Sequence, residues 1–318
     1  MTDPRVGIAL IGGGRMGSVH LEALAGCDRC AVVAVVDPDP GARSAAEQRG
    51  LAAHASVAQL LAGGGAQAAL VAAPTDLHRA LVTELADASI HVLCEKPCGS
   101  SPDDVRAAQA AAEASGVVLQ VGYWRRFVPA LAAVREQLEA GEAGELSFLG
   151  CHQWDESSPP DSFRLRSGGI ATDMAVHEID QARWLLGCEL DLEQLTALPA
   201  GGGALGPGDP DAAIITTRAQ AGGAGVLITL GRRYPPGDRC WLEYIGDRRA
   251  GQVTFLGGDA GQDAFLQALR AQADAFAEAV MGGPRRGASA ADAIAALEGA
   301  ARIDEVLTSG AGERVRRT

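Results

Sequence analysis

The sequence predicts an α/β protein. A doubly wound parallel sheet is expected over residues 1–122, and a second domain over 123–318 whose short strands suit an antiparallel sheet. Three observations carry this. Strand-like and helix-like segments alternate over residues 5–122, the pattern of βαβ units with helices on both sheet faces. A glycine-rich turn, Gly12-Gly13-Gly14-Arg15-Met16-Gly17, joins the first strand to the first helix. After Gly122 short apolar runs are separated by Gly, Pro and Asp instead of by helices. The length of 318 residues suits two domains of about 100–200 residues each.

The elements follow in order. Val6 to Ile11 (VGIALI) is an uncharged strand, and a helix begins near Ser18 with Val19, Leu21 and Leu24 on one side. Ala31 to Val36 is a second strand, ended by Asp37. Pro38-Asp39-Pro40-Gly41 reads as a turn and Ala42 to Arg49 as a helix. Ala68 to Ala73 is a strand closed by Pro74, and Leu77 to Asp87 is helical. Ile90 to Cys94 is a strand running into Glu95-Lys96-Pro97. Pro102 starts a further helix, where proline is tolerated, and Val117 to Val121 is the next strand. Beyond the boundary, Val128 to Ala140 is an amphipathic helix with Gly141 and Gly144 as stop signals. Residues 146–153, 212–219, 225–233, 239–245 and 251–256 read as strands. A strong helix over Ile170 to Leu186 interrupts them. Pro199 to Pro210 reads as a loop, 262–281 and 289–309 as helices, and Gly310 to Thr318 as a frayed or strand-like tail.

Composition narrows the function classes. The chain is 47% hydrophobic, enough for a substantial core, yet no apolar run approaches the roughly 20 residues of a membrane span. Met1 to Arg5 goes straight into a strand-like run and lacks the basic start, long apolar stretch and cleavage site of a secretion signal, so a cytoplasmic location is expected. The net charge of −13 disfavours binding to nucleic acid or to an anionic membrane. The seven cysteines are odd in number and are expected as free thiols. Cys27 and Cys30 have metal-ligand spacing but no second pair, so no metal site is expected. Of 27 basic residues only Lys96 is a lysine, and asparagine is absent. A lone lysine in an arginine-biased chain points to a position where a compact, titratable ammonium is needed.

The glycine turn satisfies G-x-G-x-x-G in the context that gives the pattern meaning, after a strand and opening a helix. Gly12 permits the tight turn, Gly14 lets backbone approach a pyrophosphate, and Gly17 allows helix to pack on strand. Asp37 lies 20 residues past Gly17 at the end of the second strand. A carboxylate there accepts from a ribose diol and repels a 2′-phosphate, so NAD is preferred to NADP. Arg43, the nearest downstream base, blurs that preference.

Lys96 sits at the carboxyl end of a parallel strand, the edge where ligands collect in such sheets. Its ammonium can bind a reacting hydroxyl and steady alkoxide charge; a surface ion pair with Glu95 is the other reading. Pro97 is a candidate cis-proline. Asp173 and His177 are four apart and share one face of a regular helix, with Asp180 and Trp184 continuing the stripe. A histidine accepts a proton near neutral pH, and a carboxylate can orient its ring. A solvated Asp/His pair is the competing reading.

GGGRMG, AAPTDLH at 72–78, CEKP at 94–97 and GGIATDMAVHEIDQARWLLG at 168–187 together resemble the glucose–fructose oxidoreductase/inositol dehydrogenase family. The resemblance spans nearly the whole chain. GYWRRF at 122–127 and the Asp173/His177 segment are most similar to the inositol 2-dehydrogenases. The resemblance implies an N-terminal Rossmann domain and a C-terminal α/β domain with a large, mostly antiparallel sheet, whose open face carries contacts in a homodimer or homotetramer. It implies a catalytic set of Lys96, Asp173 and His177, with His177 the proton acceptor, Asp173 its partner and Lys96 the hydroxyl-binding group. It places Gly12, Gly13, Gly14, Arg15, Met16, Gly17, Asp37, Pro74, Thr75, His78, Glu95 and Lys96 against the cofactor. A small polyol or sugar would meet Tyr123, Arg126, Trp154, Asp155 and Tyr234 besides the catalytic set. The sequence departs from the inositol enzymes around His152-Gln153-Trp154-Asp155, which leaves the particular polyol open; core packing is the other reading of Trp154. A related sugar or anhydrosugar dehydrogenase, an NAD-dependent glycoside hydrolase of the same fold and a non-catalytic sensor stay open beside the inositol reading.

Overall fold

The computed structural model describes residues 5–201, 209–257 and 261–315. It divides into two compact units: Met1–Phe127 with Leu266–Ile294, and Val128–Phe265 with Ala295–Thr318.

In the first unit β1 (Val6–Ile11), α1 (Arg15–Leu24), β2 (Cys30–Val36), α2 (Pro40–Gln48), β3 (Ala52–His54), α3 (Val57–Gly63), β4 (Ala68–Val71), α4 (Thr75–Asp87), β5 (His91–Cys94), α5 (Pro102–Ala114) and β6 (Leu119–Val121) follow one another. The strands pair in the order β3-β2-β1-β4-β5-β6, all parallel. Order reverses between β1 and β4, the switch point beyond whose strand ends ligands bind. β1 and β4 are buried throughout, as strands covered on both faces must be. Helix starts follow local chemistry. Asp39 caps α2 by accepting from the Ala42 N–H at 3.1 Å, and Ser101 caps α5 by accepting from the Asp104 N–H at 3.2 Å. Pro40 and Pro102 each occupy the first helical turn.

In the second unit α6 (Pro129–Glu139) precedes β7 (Leu146–Trp154), and a short α7 (Asp161–Arg164) leads to a π-helical turn, Ala171–Ala175. There follow α8 (Val176–Leu186), β8 (Thr196–Ala200), β9 (Ala212–Arg218), β10 (Gly225–Gly231), β11 (Arg239–Gly246), β12 (Ala250–Leu256), α9 (Gly261–Val280) and α10 (Ala290–Val315). The sheet order is β12-β11-β7-β10-β9-β8, antiparallel except for the parallel pair β7 and β10. Burial alternates along β9: Ala213, Ile215 and Thr217 are inside while Ile214, Thr216 and Arg218 are exposed, so one face is packed and the other open.

Several expectations need correction. The first unit reclaims residues 266–294, which the sequence reading assigned to the second domain. Val121 bridges Ala288, and the Cys27 thiol points to the Arg270 carbonyl at 3.8 Å. β3, α3 and α7 were not anticipated, being only 3, 7 and 4 residues long and too short for a periodic signal. Pro199 and Ala200 belong to β8 rather than to a loop, paired with Ala213 and Ala212; residues 202–208 of that expected loop lie outside the described residues. The tail continues α10 to Val315 rather than forming a strand, and residues 316–318 lie outside the described residues. The regular helix expected from Ile170 is instead a π turn through Ala175, entered by Gly168 and Gly169 at φ +78° and +75°.

Candidate active site

The turn after β1 is built from backbone. Gly12 has φ +100°, and a Cβ there would meet the Ala72 carbonyl group at 2.8 Å. A Cβ on Gly17 would stand 2.0 Å from the Gly12 carbonyl oxygen. Gly14 has nothing within 4 Å of a Cβ position, so its surface is open, and it caps α1 without a side-chain acceptor. Arg15 is exposed and Met16 half-buried. An uncapped helix N-terminus with no acid in its first turn, behind an open glycine, fits a dinucleotide pyrophosphate. Asp37 accepts from the Gly13 N–H at 2.7 Å through Oδ2 and from the Asp39 N–H at 2.8 Å through Oδ1. The carboxylate thus ties the turn to the end of β2, with lone pairs remaining for ribose hydroxyls. Arg43 donates to the carbonyls of Asp37 and Pro38, both at 2.8 Å, which anchors it along the same loop.

The carboxyl ends of β4, β5 and β6 complete this edge. Pro74 caps α4 and Thr75 opens it. The buried His78 ring sets Nδ1 2.8 Å from the Pro97 carbonyl and Nε2 2.8 Å from that of Ala73, so it spans the turns after β4 and β5. The Lys96–Pro97 bond is cis. Lys96 is half-buried. Glu95 points inward: Oε1 lies 2.6 Å from His20 Nε2 and Oε2 accepts from the Lys96 N–H at 3.1 Å. Burial pushes the Glu95 carboxyl up, but the His20 hydrogen bond and the His20 and Lys96 charges outweigh it and hold it below its ordinary value. His20 was not singled out from sequence. Its partner lies 75 residues away, and nothing local marks it. Tyr123 is buried, and Arg126 forms an ion pair with Asp292 at 3.0 Å. That acid holds the guanidinium in place, and together with Ser289 the guanidinium lowers the Asp292 carboxyl against the upward push of burial.

In the second unit Asp173 lies inside the π turn and His177 in the first turn of α8. The wide turn changes the angular step between them, so the spacing rule of a regular helix does not set their relation. His177 is buried, as are Glu178, Asp180 and Gln181, while the Arg135 guanidinium lies 5.0 Å over the Trp184 ring. Asp173 Oδ2 accepts from Arg232 at 3.2 Å, a partner that the sequence reading did not name.

Trp154, Asp155 and Tyr234 come together at the ends of the parallel pair β7 and β10. The Trp154 and Tyr234 rings meet edge to face at 6.1 Å, and the Tyr234 N–H donates to the Asp155 carbonyl at 2.8 Å. The Trp154 indole donates to Thr229 Oγ1 at 3.0 Å; His152 Nδ1 lies 2.7 Å from the same oxygen, with its ring stacked on Trp241. Burial lowers the His152 pKa against the opposing pull of Glu243. Among the described residues, Cys27, Cys30 and Asp274 place three donor atoms within 4.8 Å of one another. A closed structural zinc site takes four ligands. The hydrogen bond with Cys30 and then burial push the Cys27 thiol well above its ordinary value.

A family model described as an oxidoreductase family with an NAD-binding Rossmann fold matches residues 6–123, and one for the GFO/IDH/MocA C-terminal domain matches 131–250. The rhizopine catabolism protein MocA of Rhizobium meliloti is 40% identical over 309 residues, 97% of this chain and 96% of that protein. The myo-inositol dehydrogenase Hyg17 of Streptomyces leeuwenhoekii is 33% identical over 326 residues, 95% and 98% of the two chains. The crystal structure of a myo-inositol dehydrogenase from Corynebacterium glutamicum superposes with a TM-score of 0.85 at 26% identity, covering 96% of this chain and 97% of that one.

Proposed function

The chain belongs to the GFO/IDH/MocA family of oxidoreductases with an NAD-binding Rossmann domain, and on that premise we propose that it oxidises a ring secondary hydroxyl of an inositol to the ketone, in the manner of a myo- or scyllo-inositol 2-dehydrogenase. The observation that carries this reading is the pairing of an open, uncapped glycine turn with a single lysine on the same sheet edge. Bound NAD supplies the hydride acceptor. The amides of the glycine turn hold the pyrophosphate, and Asp37 accepts from the adenosine ribose hydroxyls. Lys96 binds the reacting hydroxyl oxygen and stabilises the alkoxide charge that develops on it. His177 takes the hydroxyl proton, and Asp173 orients its ring. Pro74, Thr75 and His78 serve the nicotinamide half, and Glu95 backs Lys96. Trp154, Asp155 and Tyr234 offer an aromatic surface and hydroxyl-binding groups to a polyol ring, with Tyr123 and Arg126 as further contacts. Exposed Leu198, Ile214 and Ile245 on β8, β9 and β11 support self-association through the open sheet face.

The 40% identity to MocA over almost the full length of both chains favours a second reading, in which the substrate belongs to rhizopine catabolism. The deciding experiment incubates the protein with inositol isomers, rhizopine, pyranoses and pyranosides, each with NAD and with NADP, and follows absorbance of the reduced cofactor together with release of free sugar. Steady NADH formation on an inositol supports the first reading, and turnover confined to rhizopine the second. Bond cleavage of a glycoside without net NADH would overturn both in favour of a hydrolase.

A further inference from the structure

Around Asp173 lies a chain of charged side chains larger than the sequence suggested. Arg232, the residue after β10, is 0% exposed. Its Nη1 donates to Asp209 Oδ1 at 2.5 Å and its Nη2 to Asp173 Oδ2 at 3.2 Å. Its Nε is buried and has no hydrogen-bond partner. Its backbone N–H donates to the Asp211 carbonyl at 2.8 Å, so both ends of the residue are fixed. Asp209 is held in turn by Arg164, which donates through Nε to Oδ2 at 2.8 Å and through Nη2 to the carbonyl at 2.9 Å. Arg164 also reaches Asp211 at 3.0 Å, and Arg233 donates to the other Asp211 oxygen at 2.7 Å.

Arg164, Arg232 and Arg233 balance Asp173, Asp209 and Asp211 in charge. A buried guanidinium persists only where ionised partners offset its desolvation. Asp209 already has Arg164, so the charge of Arg232 is shared with Asp173. A planar guanidinium anchored on a second carboxylate fixes the direction of the carboxylate it holds. The π turn needs such a tether, because its wide ring is not a regular helix and leaves the direction of Asp173 to tertiary contacts.

We propose that Arg232, anchored by Asp209, is the positioning residue for Asp173 and thereby sets the orientation of the proton-accepting pair. The inference rests on the proposed role of Asp173 and His177 in dehydrogenation. It is tested in the full chain by a cycle of Arg232→Lys, Asp173→Asn and the double variant. A lysine keeps the charge but cannot bridge two carboxylates in one plane. Arg232→Lys is expected to lower kcat about 10- to 100-fold, the scale of a small misplacement, with KM for NAD within about twofold of wild type. In the Asp173→Asn background the same change is expected to cost less than about threefold, since coupled residues are not additive. Asp209→Asn, which leaves Arg232 in place, gives the same pattern and serves if the lysine variant does not fold. An undiminished loss in the Asp173→Asn background would reduce Arg232 to general support of the fold, and wild-type turnover in Arg232→Lys would remove the role outright. The urea midpoints of the same variants need no substrate: the double variant should unfold no earlier than the weaker single, and fully additive shifts overturn the clamp. If the wild-type chain oxidises no polyol, the functional reading fails while the unfolding cycle still decides whether Arg232 holds Asp173.

Discussion

The turn after β1 is shaped by close backbone packing, Gly12 against Ala72 and Gly17 against Gly12, whereas the turn bearing Asp173 is held by the charge of an arginine 59 residues away. In the first unit the determinants are steric. Gly12 and Gly17 are needed because any Cβ would strike backbone, and Gly14 is left open. In the second unit they are electrostatic, a row of acids and guanidiniums that is largely buried apart from the exposed Arg233. A backbone-shaped site tolerates change at its open face but not at its supports. A charge-shaped site transmits every change along the row.

Four experiments sharpen or break that contrast. The largest effect is expected from Lys96→Ala and His177→Ala, each lowering turnover about 10²–10⁴-fold while circular dichroism stays unchanged. A near-wild-type rate in either variant removes its assigned role. Next come the glycines. Gly17→Ala places a Cβ 2.0 Å from a carbonyl oxygen and should abolish NAD binding and lower Tm. Gly14→Ala, with open space around it, should leave Tm unchanged and weaken NAD affinity about tenfold, measured by calorimetry. Equal Tm losses in the two variants would deny the distinction between support and open face. Asp37→Ala should then narrow the ratio of kcat/KM for NAD over NADP; because Asp37 also holds the Gly13 N–H, KM should rise for both cofactors.

The smallest effect belongs to Asp304, whose carboxyl is pushed up to about 7 by burial and then by the neighbouring Asp209. A carboxyl raised on folding contributes stability that is complete below its unfolded value of 3.8 and is lost as pH rises through about 7. Asp304→Asn removes that dependence. Its Tm relative to wild type should climb between pH 5 and pH 8, reaching a gain of about 2–4 °C at the upper end. A constant difference across that range would mean that Asp304 titrates at its ordinary value.

Much of the first unit was legible because its signals are local. Alternating apolar runs, the glycine spacing, Asp37 at a strand end and the solitary Lys96 each speak through neighbours in the chain. The four-residue spacing of Asp173 and His177 singled them out, and the family resemblance, drawing on the same local motifs, gave them their expected roles. The return of residues 266–294 to the first unit was not legible, since α9 reads simply as an amphipathic helix whatever it packs on. His20 was missed for a related reason: it is one histidine on a helix until Glu95, far along the chain, is folded against it. Arg232 looked like one arginine among 26, and Arg126 gave no hint that Asp292 would hold it.

The sequence by itself determined the alternation of strands and helices over residues 5–122 apart from β3 and α3, the glycine turn and the identity of the lysine at the sheet edge. These depend on steric rules and side-chain periodicities that act over a few residues. Tertiary structure alone decided that Asp173 lies on a π turn, that Arg232 and Asp209 hold it, and that Glu95 faces His20. Those pairings join residues tens of positions apart, and a buried charge reveals its partner only once folding has removed both from water.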